Sequence, residues 1–193
     1  MLFRSRIVVP LVTALSLIVS SRSAAVQTAD VGSFDAIASV VMHPRCMNCH
    51  QDDSPRQTDA AIRHQPPVVR GKDGHGAPTL PCQMCHQAMN TADGALPGAP
   101  NWHLAPLSMK WEGLTKQQIC EQVKDPARNG GRRTGAQIIE HMKVDPLVLW
   151  AWTPGAGRTT PPISHEQFVK ALEAWVSAGM PCTETTNSRR SLQ

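Results

Sequence analysis

A mainly α-helical domain with long irregular loops is the fold class the sequence predicts, on three observations. Four segments repeat apolar residues at helical spacing, and three of them open with a side-chain capping signature. No run alternates as a half-buried strand would. The chain also carries 13 glycines and 16 prolines, above average usage for residues that break helices and make turns. A length of 193 residues suits one domain plus tails. The composition excludes a collagen-like or low-complexity chain, a coiled coil and a polytopic membrane protein.

Residues 1–25 have three zones: Arg4 and Arg6, then a largely apolar run from Ile7 to Val19, then small residues at Ser23-Ala24-Ala25. That is the layout of a secretory signal peptide. The apolar run is short beside the roughly 20 residues of a membrane span. The expectation is export to the periplasm, with a membrane attachment only if the segment stays uncleaved. Removal of residues 1–23 takes Arg4, Arg6 and Arg22 with it, so a formal charge of +4 falls to +1. No basic stripe with interleaved aromatics remains, which speaks against a nucleic-acid partner.

Residues 26–183 form the expected domain. Val31 to Met42 places Phe34, Ile37, Val40 and Val41 at helical spacing, with Ser33 as the expected N-cap and His43-Pro44 as the stop. Residues 51–80 are polar, rich in Pro and Gly and without a period, and read as one long loop. Residues 90–113 are irregular too, around Pro97-Gly98-Ala99-Pro100 and Trp102-His103. Thr115 with Gln118 makes a capping box ahead of Ile119, Cys120 and Val123. Thr134 caps a helix over 135–143 that carries Ile138, Ile139 and Met142. Ser164 with Gln167 opens the strongest helix, with Phe168, Val169, Leu172, Trp175 and Val176 on one stripe and Gly179 as its C-terminal stop. Residues 184–193 read as a flexible polar tail.

Two motifs carry the chemistry. Cys46-Met47-Asn48-Cys49-His50 and Cys82-Gln83-Met84-Cys85-His86 are both C-x-x-C-H. In an exported chain this reads as c-type haem attachment. Two thiols add to the two vinyl groups of one haem, and the following histidine supplies an axial nitrogen to the iron. The cofactor expectation is therefore two covalent c-type haems, held by Cys46, Cys49, Cys82 and Cys85 with His50 and His86 on the irons. The fold becomes a small dihaem cytochrome c organised around them. A zinc ribbon wants its cysteine pairs about 15–20 residues apart, whereas 32 residues separate Cys49 from Cys82. A redox dithiol is the other reading of C-x-x-C.

Cys120 and Cys182 stand apart from both motifs and form the expected disulfide, since exported cysteines outside a cofactor motif usually pair. Each iron has a sixth position to fill. His75, flanked by glycines that let backbone approach a cofactor closely, and His103, beside Trp102, rank first; His64, His141, Met109 and His43 follow. Met in place of His would raise the reduction potential. His165, in the first turn of the last helix, is expected to face solvent or a cap.

The segments HPRCMNCH (43–50), GKDGHG (71–76), PCQMCH (81–86), GAPNWHLAPLSM (98–109), DPARNGG (125–131) and DPLVLWAWTPGAGR (145–158) together resemble a family of small exported dihaem proteins usually labelled isoquinoline 1-oxidoreductase subunit. The resemblance spans roughly residues 33–182. It implies a periplasmic electron carrier serving a molybdenum hydroxylase-type dehydrogenase and passing electrons to a downstream cytochrome or oxidase. The chain has no iron–sulfur spacing C-x₄-C-x₂-C and no dinucleotide fingerprint G-x-G-x-x-G, so it is not expected to be an enzyme by itself. The competing classes are a dihaem peroxidase-like enzyme, which requires one iron with an open or displaceable sixth position, and a haem-based redox or gas sensor, for which no output domain is visible.

Overall fold

A computed structural model describes residues 32–183. The expected signal segment and the tail at 184–193 lie outside the described residues. The helices are α1 (Asp35–Val41), α2 (Pro44–Met47), α3 (Lys116–Lys124), α4 (Gly135–Val144), α5 (Pro146–Trp150) and α6 (His165–Ser177). Among the described residues no helix is long and apolar enough to cross a membrane.

One core joins α1, α3, α4 and α6. Ile37, Val40 and Val41 from α1 meet Ile119 and Val123 from α3, Ile138 and Met142 from α4, and Phe168, Leu172 and Trp175 from α6. The apolar stripes read from the sequence are the faces that meet here, because helical residues three and four apart share a side. Trp175 is fully buried, packs against Phe34 at 5.3 Å and donates its indole N–H to the Pro181 carbonyl at 2.9 Å. Helices α4 and α6 approach so closely at Gly135 that a Cβ there would stand 2.3 Å from Val176 Cγ1.

Thr115, Thr134 and Ser164 each receive the N3 backbone N–H, and Gln118, Gln137 and Gln167 reach back to the cap residue. All three helix starts are thus reciprocal capping boxes. α6 ends in a Schellman turn: Gly179, at φ +82°, donates to Val176, and Met180 donates to Trp175. The first helix differs from expectation. Its cap position is Phe34, whose side chain makes no capping bond, while Ser33 sits one residue earlier and accepts from Asp35 N at 3.4 Å. A surface cap contributes about 1 kcal/mol, and burying the Phe34 ring against Trp175 is the larger effect.

Two short helices were not expected. His43 caps α2 and Asp145 caps α5, each followed by proline at the first helical position, where its missing N–H costs nothing. The long loop also holds two antiparallel ladders, Arg56–Gln57 with Ile62–Arg63 and Gly76–Ala77 with Leu80–Pro81. Strands of two residues are too short to leave a period in the sequence.

Cys120 is bonded to Cys182 with their Cα atoms 5.6 Å apart, tying α3 to the chain beyond α6 across a separation of 62 residues. A loop of this length corresponds to about 4 kcal/mol of lost unfolded-state entropy. We predict that replacing both cysteines by alanine lowers the urea unfolding free energy by about 2–4 kcal/mol, with the helical circular dichroism retained at low denaturant.

Candidate functional site

Each C-x-x-C-H forms a single helical turn. In the first, Cys49 N and His50 N both donate to the Cys46 carbonyl, at 3.1 and 3.2 Å. In the second, Cys85 N and His86 N both donate to the Cys82 carbonyl, at 3.2 and 3.0 Å. Positions i, i+3 and i+4 lie on one side of a helical turn, so both cysteines and the histidine of each motif face the same way. The four cysteines are free thiols.

Each histidine is then fixed by a backbone carbonyl. His50 Nδ1 lies 2.7 Å from the Met109 carbonyl, and His86 Nδ1 lies 2.7 Å from the Pro97 carbonyl. A carbonyl only accepts, so Nδ1 carries the proton and Nε2 keeps its lone pair. Burial drives the His50 pKa down to about 4 and lowers that of His86 as well. Both imidazoles are neutral near pH 7, the form that binds a metal.

The carbonyls are themselves held. Trp111 N donates back to the His50 carbonyl at 2.9 Å, and the Trp111 ring stacks on the His50 ring at 3.5 Å. Gln122, buried in α3, donates to the carbonyls of Ser108 and Lys110 at 2.8 and 3.2 Å. The helical core thus sets the loop that sets His50. Around the second motif Asn90 does similar work. Its Oδ1 accepts from Gly98 N and from the Trp150 indole, and its Nδ2 donates to the Thr153 carbonyl. A Cβ at Gly98 would stand 2.2 Å from the Met89 carbonyl, so only glycine lets the chain pass beside Pro97 this closely.

Two cavities open from the motifs. Cys46, Cys49 and His50 line one of about 260 Å³, walled by Val40, Trp111, Met142 and Phe168. Cys82, Cys85 and His86 line one of about 340 Å³, walled by the loop residues Val68, Leu80, Leu96 and Leu104. Arg45, Cys49, Trp102, His103 and Trp150 line both. Trp102 stacks on His86 at 4.6 Å and meets Trp150 edge-on at 4.9 Å. Arg45 spans part of this shared wall, bonded to Asp59 and lying 5.8 Å over the Trp150 ring.

The donor set suits a covalently attached planar cofactor. Among the described residues, no group of three or more His, Cys, Asp and Glu side chains converges on a metal position, as a closed zinc site would require. Burial pushes the Cys46 thiol up to about 12 and the Cys49 thiol up to about 11, and it raises Cys82. For the first motif a redox dithiol would need the opposite shift, because the thiolate is the nucleophile.

The remaining candidates separate by what occupies their nitrogens. His75 has both engaged, Nδ1 with the Asp73 carbonyl and Nε2 with Asn101 Oδ1 at 3.1 Å, and it lines neither cavity. His43 caps α2 through Nδ1 and meets Thr159 Oγ1 through Nε2 at 3.3 Å, also away from both cavities. His165 differs from expectation: it is half-buried, with Nε2 at 2.9 Å from the Met142 carbonyl. Met109 uses its carbonyl on His50, and its side chain lines the first cavity. Three histidines share the arrangement of His50 and His86, with Nδ1 tied and no hydrogen-bond partner at Nε2 among the described residues. His141 is held by Asp145 Oδ2 at 3.4 Å and lines the first cavity. His64 is held by the Pro66 carbonyl at 2.9 Å and lines the second. His103 is held by the Asn101 carbonyl and lines both.

The His64 and His86 rings are 5.9 Å apart and inclined at 71°. Gln122, Asn90, Arg45 and Trp150 escape sequence reasoning because their partners lie far along the chain. Compared with protein-family models, with curated proteins and with solved structures, the chain matches none.

Replacing the buried Gln122 by leucine leaves the Ser108 and Lys110 carbonyls without their donor. The expected cost is about 1–3 kcal/mol in urea unfolding. Faster amide exchange at Trp111, which is bonded to His50, should accompany it.

Proposed function

We propose that this chain is a periplasmic dihaem c-type cytochrome that transfers electrons and is not an enzyme by itself. The reading is carried by one duplicated observation. Each C-x-x-C-H presents both thiols and a neutral, Nδ1-tethered imidazole to its own cavity. Cys46, Cys49 and His50 would hold one haem; Cys82, Cys85 and His86 would hold the other. When bound, haem supplies reversible one-electron chemistry, and the protein sets its ligation, burial and orientation.

His141 and His64 are the proposed sixth ligands. Each lines the cavity of one motif and carries the tether that leaves Nε2 free, an arrangement typical of metal-bound histidine. The Asp145 carboxylate holds His141 and also caps α5 through Leu147 N and Val148 N. Histidines in both sixth positions would favour a carrier over the peroxidase-like and gas-sensor readings, which need an open iron. The shared wall supports electron exchange between the two centres. By the resemblance, electrons arrive from a molybdenum hydroxylase-type dehydrogenase and leave to a cytochrome or oxidase. Such contacts are brief and small, under about 1,200 Å² in total.

Near-infrared magnetic circular dichroism and low-temperature EPR should show bis-histidine ligation at both irons. The reduced protein should not bind carbon monoxide rapidly; rapid binding would contradict a pure carrier. His64→Met and His141→Met should each raise the potential of one haem and leave the other near its original value. Unchanged potentials and spectra in both variants would remove these residues from the irons.

A further inference from the structure

Among the described residues, four buried side-chain atoms lack a hydrogen-bond partner: Arg45 Nε, Asn48 Oδ1, Gln51 Oε1 and Arg56 Nη1. Three of the four residues, Arg45, Asn48 and Arg56, line the second cavity. Buried polar atoms are nearly always paired, so such a cluster in one wall asks for a ligand.

The two arginines share a chemistry. The Arg45 side chain is 2% exposed and bonds Asp59 through Nη2, with Nε unmet. Arg56 bonds Glu112 through Nη2 at 3.3 Å; its Nη1 has only Asp53, at an ion-pair distance of 3.6 Å. A guanidinium stays charged inside a protein and binds carboxylates through paired N–H groups. Arg158 lines the same cavity but spends its guanidinium on the carbonyls of Gly94, Ala95, Pro154 and Ala156. It builds the wall and has less to offer a ligand. Asn48 Oδ1 is an acceptor and does not serve an anion.

We propose that Arg45 and Arg56 bind the propionate carboxylates of the haem held by Cys82 and Cys85. This rests on the dihaem reading. The haem surface is apolar apart from those carboxylates, which are the groups a buried guanidinium would select. Arg45 directly precedes Cys46, so the helix that attaches one haem also positions the other. The positive charge stabilises the reduced iron relative to the oxidised iron, and losing it lowers the potential.

The test is a potentiometric titration of the full dihaem protein, followed optically and by EPR, for the native chain, Arg45→Gln, Arg45→Lys and Arg56→Gln. The second haem is identified by comparison with a chain in which Cys82 and Cys85 are alanine. The Arg45→Gln change should shift the second haem's reduction equilibrium about tenfold toward the oxidised form, 59 mV for one electron. Arg45→Lys should recover most of it, and Arg56→Gln should move the same haem in the same direction. A second haem unmoved in both glutamine variants, or a first haem moved as far, overturns the proposal. If Arg45→Gln loads one haem only, Arg56→Gln decides by the same criterion. A native chain that binds no covalent haem overturns the dihaem reading itself, and this inference with it.

Discussion

A hydrogen bond from imidazole Nδ1 to a backbone carbonyl decides what each C-x-x-C-H motif can do. It fixes the tautomer, aims the ring, and leaves Nε2 as the only nitrogen able to bind. The irregular stretch 90–113 supplies both carbonyls, from Met109 and Pro97. Met109 is delivered to His50 by a loop that Gln122 grips from α3, and α3 is in turn set by its capping box and by the Cys120–Cys182 bond. Pro97 is delivered to His86 by a tight passage at Gly98 that Asn90 secures. The rigid helical core stands behind the first motif, whereas the second depends on loop-to-loop bonds. Of the two, the second site has less packing behind it and should open first.

The scarcity of aromatic residues takes on meaning beside the two cavities. Aromatics make up 4% of the chain. Phe34, Trp111, Phe168 and Trp175 belong to the helical core. Trp102 and Trp150 stand between the cavities and belong to their shared wall. Helical-core side chains, Phe168 and Trp111 among them, wall the first cavity, while loop residues wall most of the second. A loop of 51–80 with so little regular structure is unusual in a compact domain unless it wraps something.

The helix starts at Thr115, Thr134 and Ser164 were legible because capping boxes are local patterns, and so was the lone cysteine pair. The motif cysteines and histidines were legible for the same reason. The tethers were not, because their partners lie tens of residues away: His50 with Met109, Trp150 with Asn90. His75 shows how a correct local signal points elsewhere. Its neighbour Gly74 does permit a close approach, but to the Leu104 carbonyl, which a Cβ would meet at 2.8 Å. His64 and His141 have no distinguishing neighbours in the sequence, and only the three-dimensional path of the chain brings them to the cavities. Nothing in the sequence marks Arg45, because its burial and its place in the shared wall depend on the folded chain.

Covalent haem on both C-x-x-C-H turns is the proposal on which the rest depends. Denaturing mass spectrometry of the chain matured in an oxidising, c-type-competent compartment measures this directly, since thioether bonds survive unfolding. The expected result is the mature polypeptide plus two haem masses, with one haem on each of the peptides spanning 46–49 and 82–85. A polypeptide mass with no haem, or with all four motif cysteines recovered as thiols or disulfides, would contradict it.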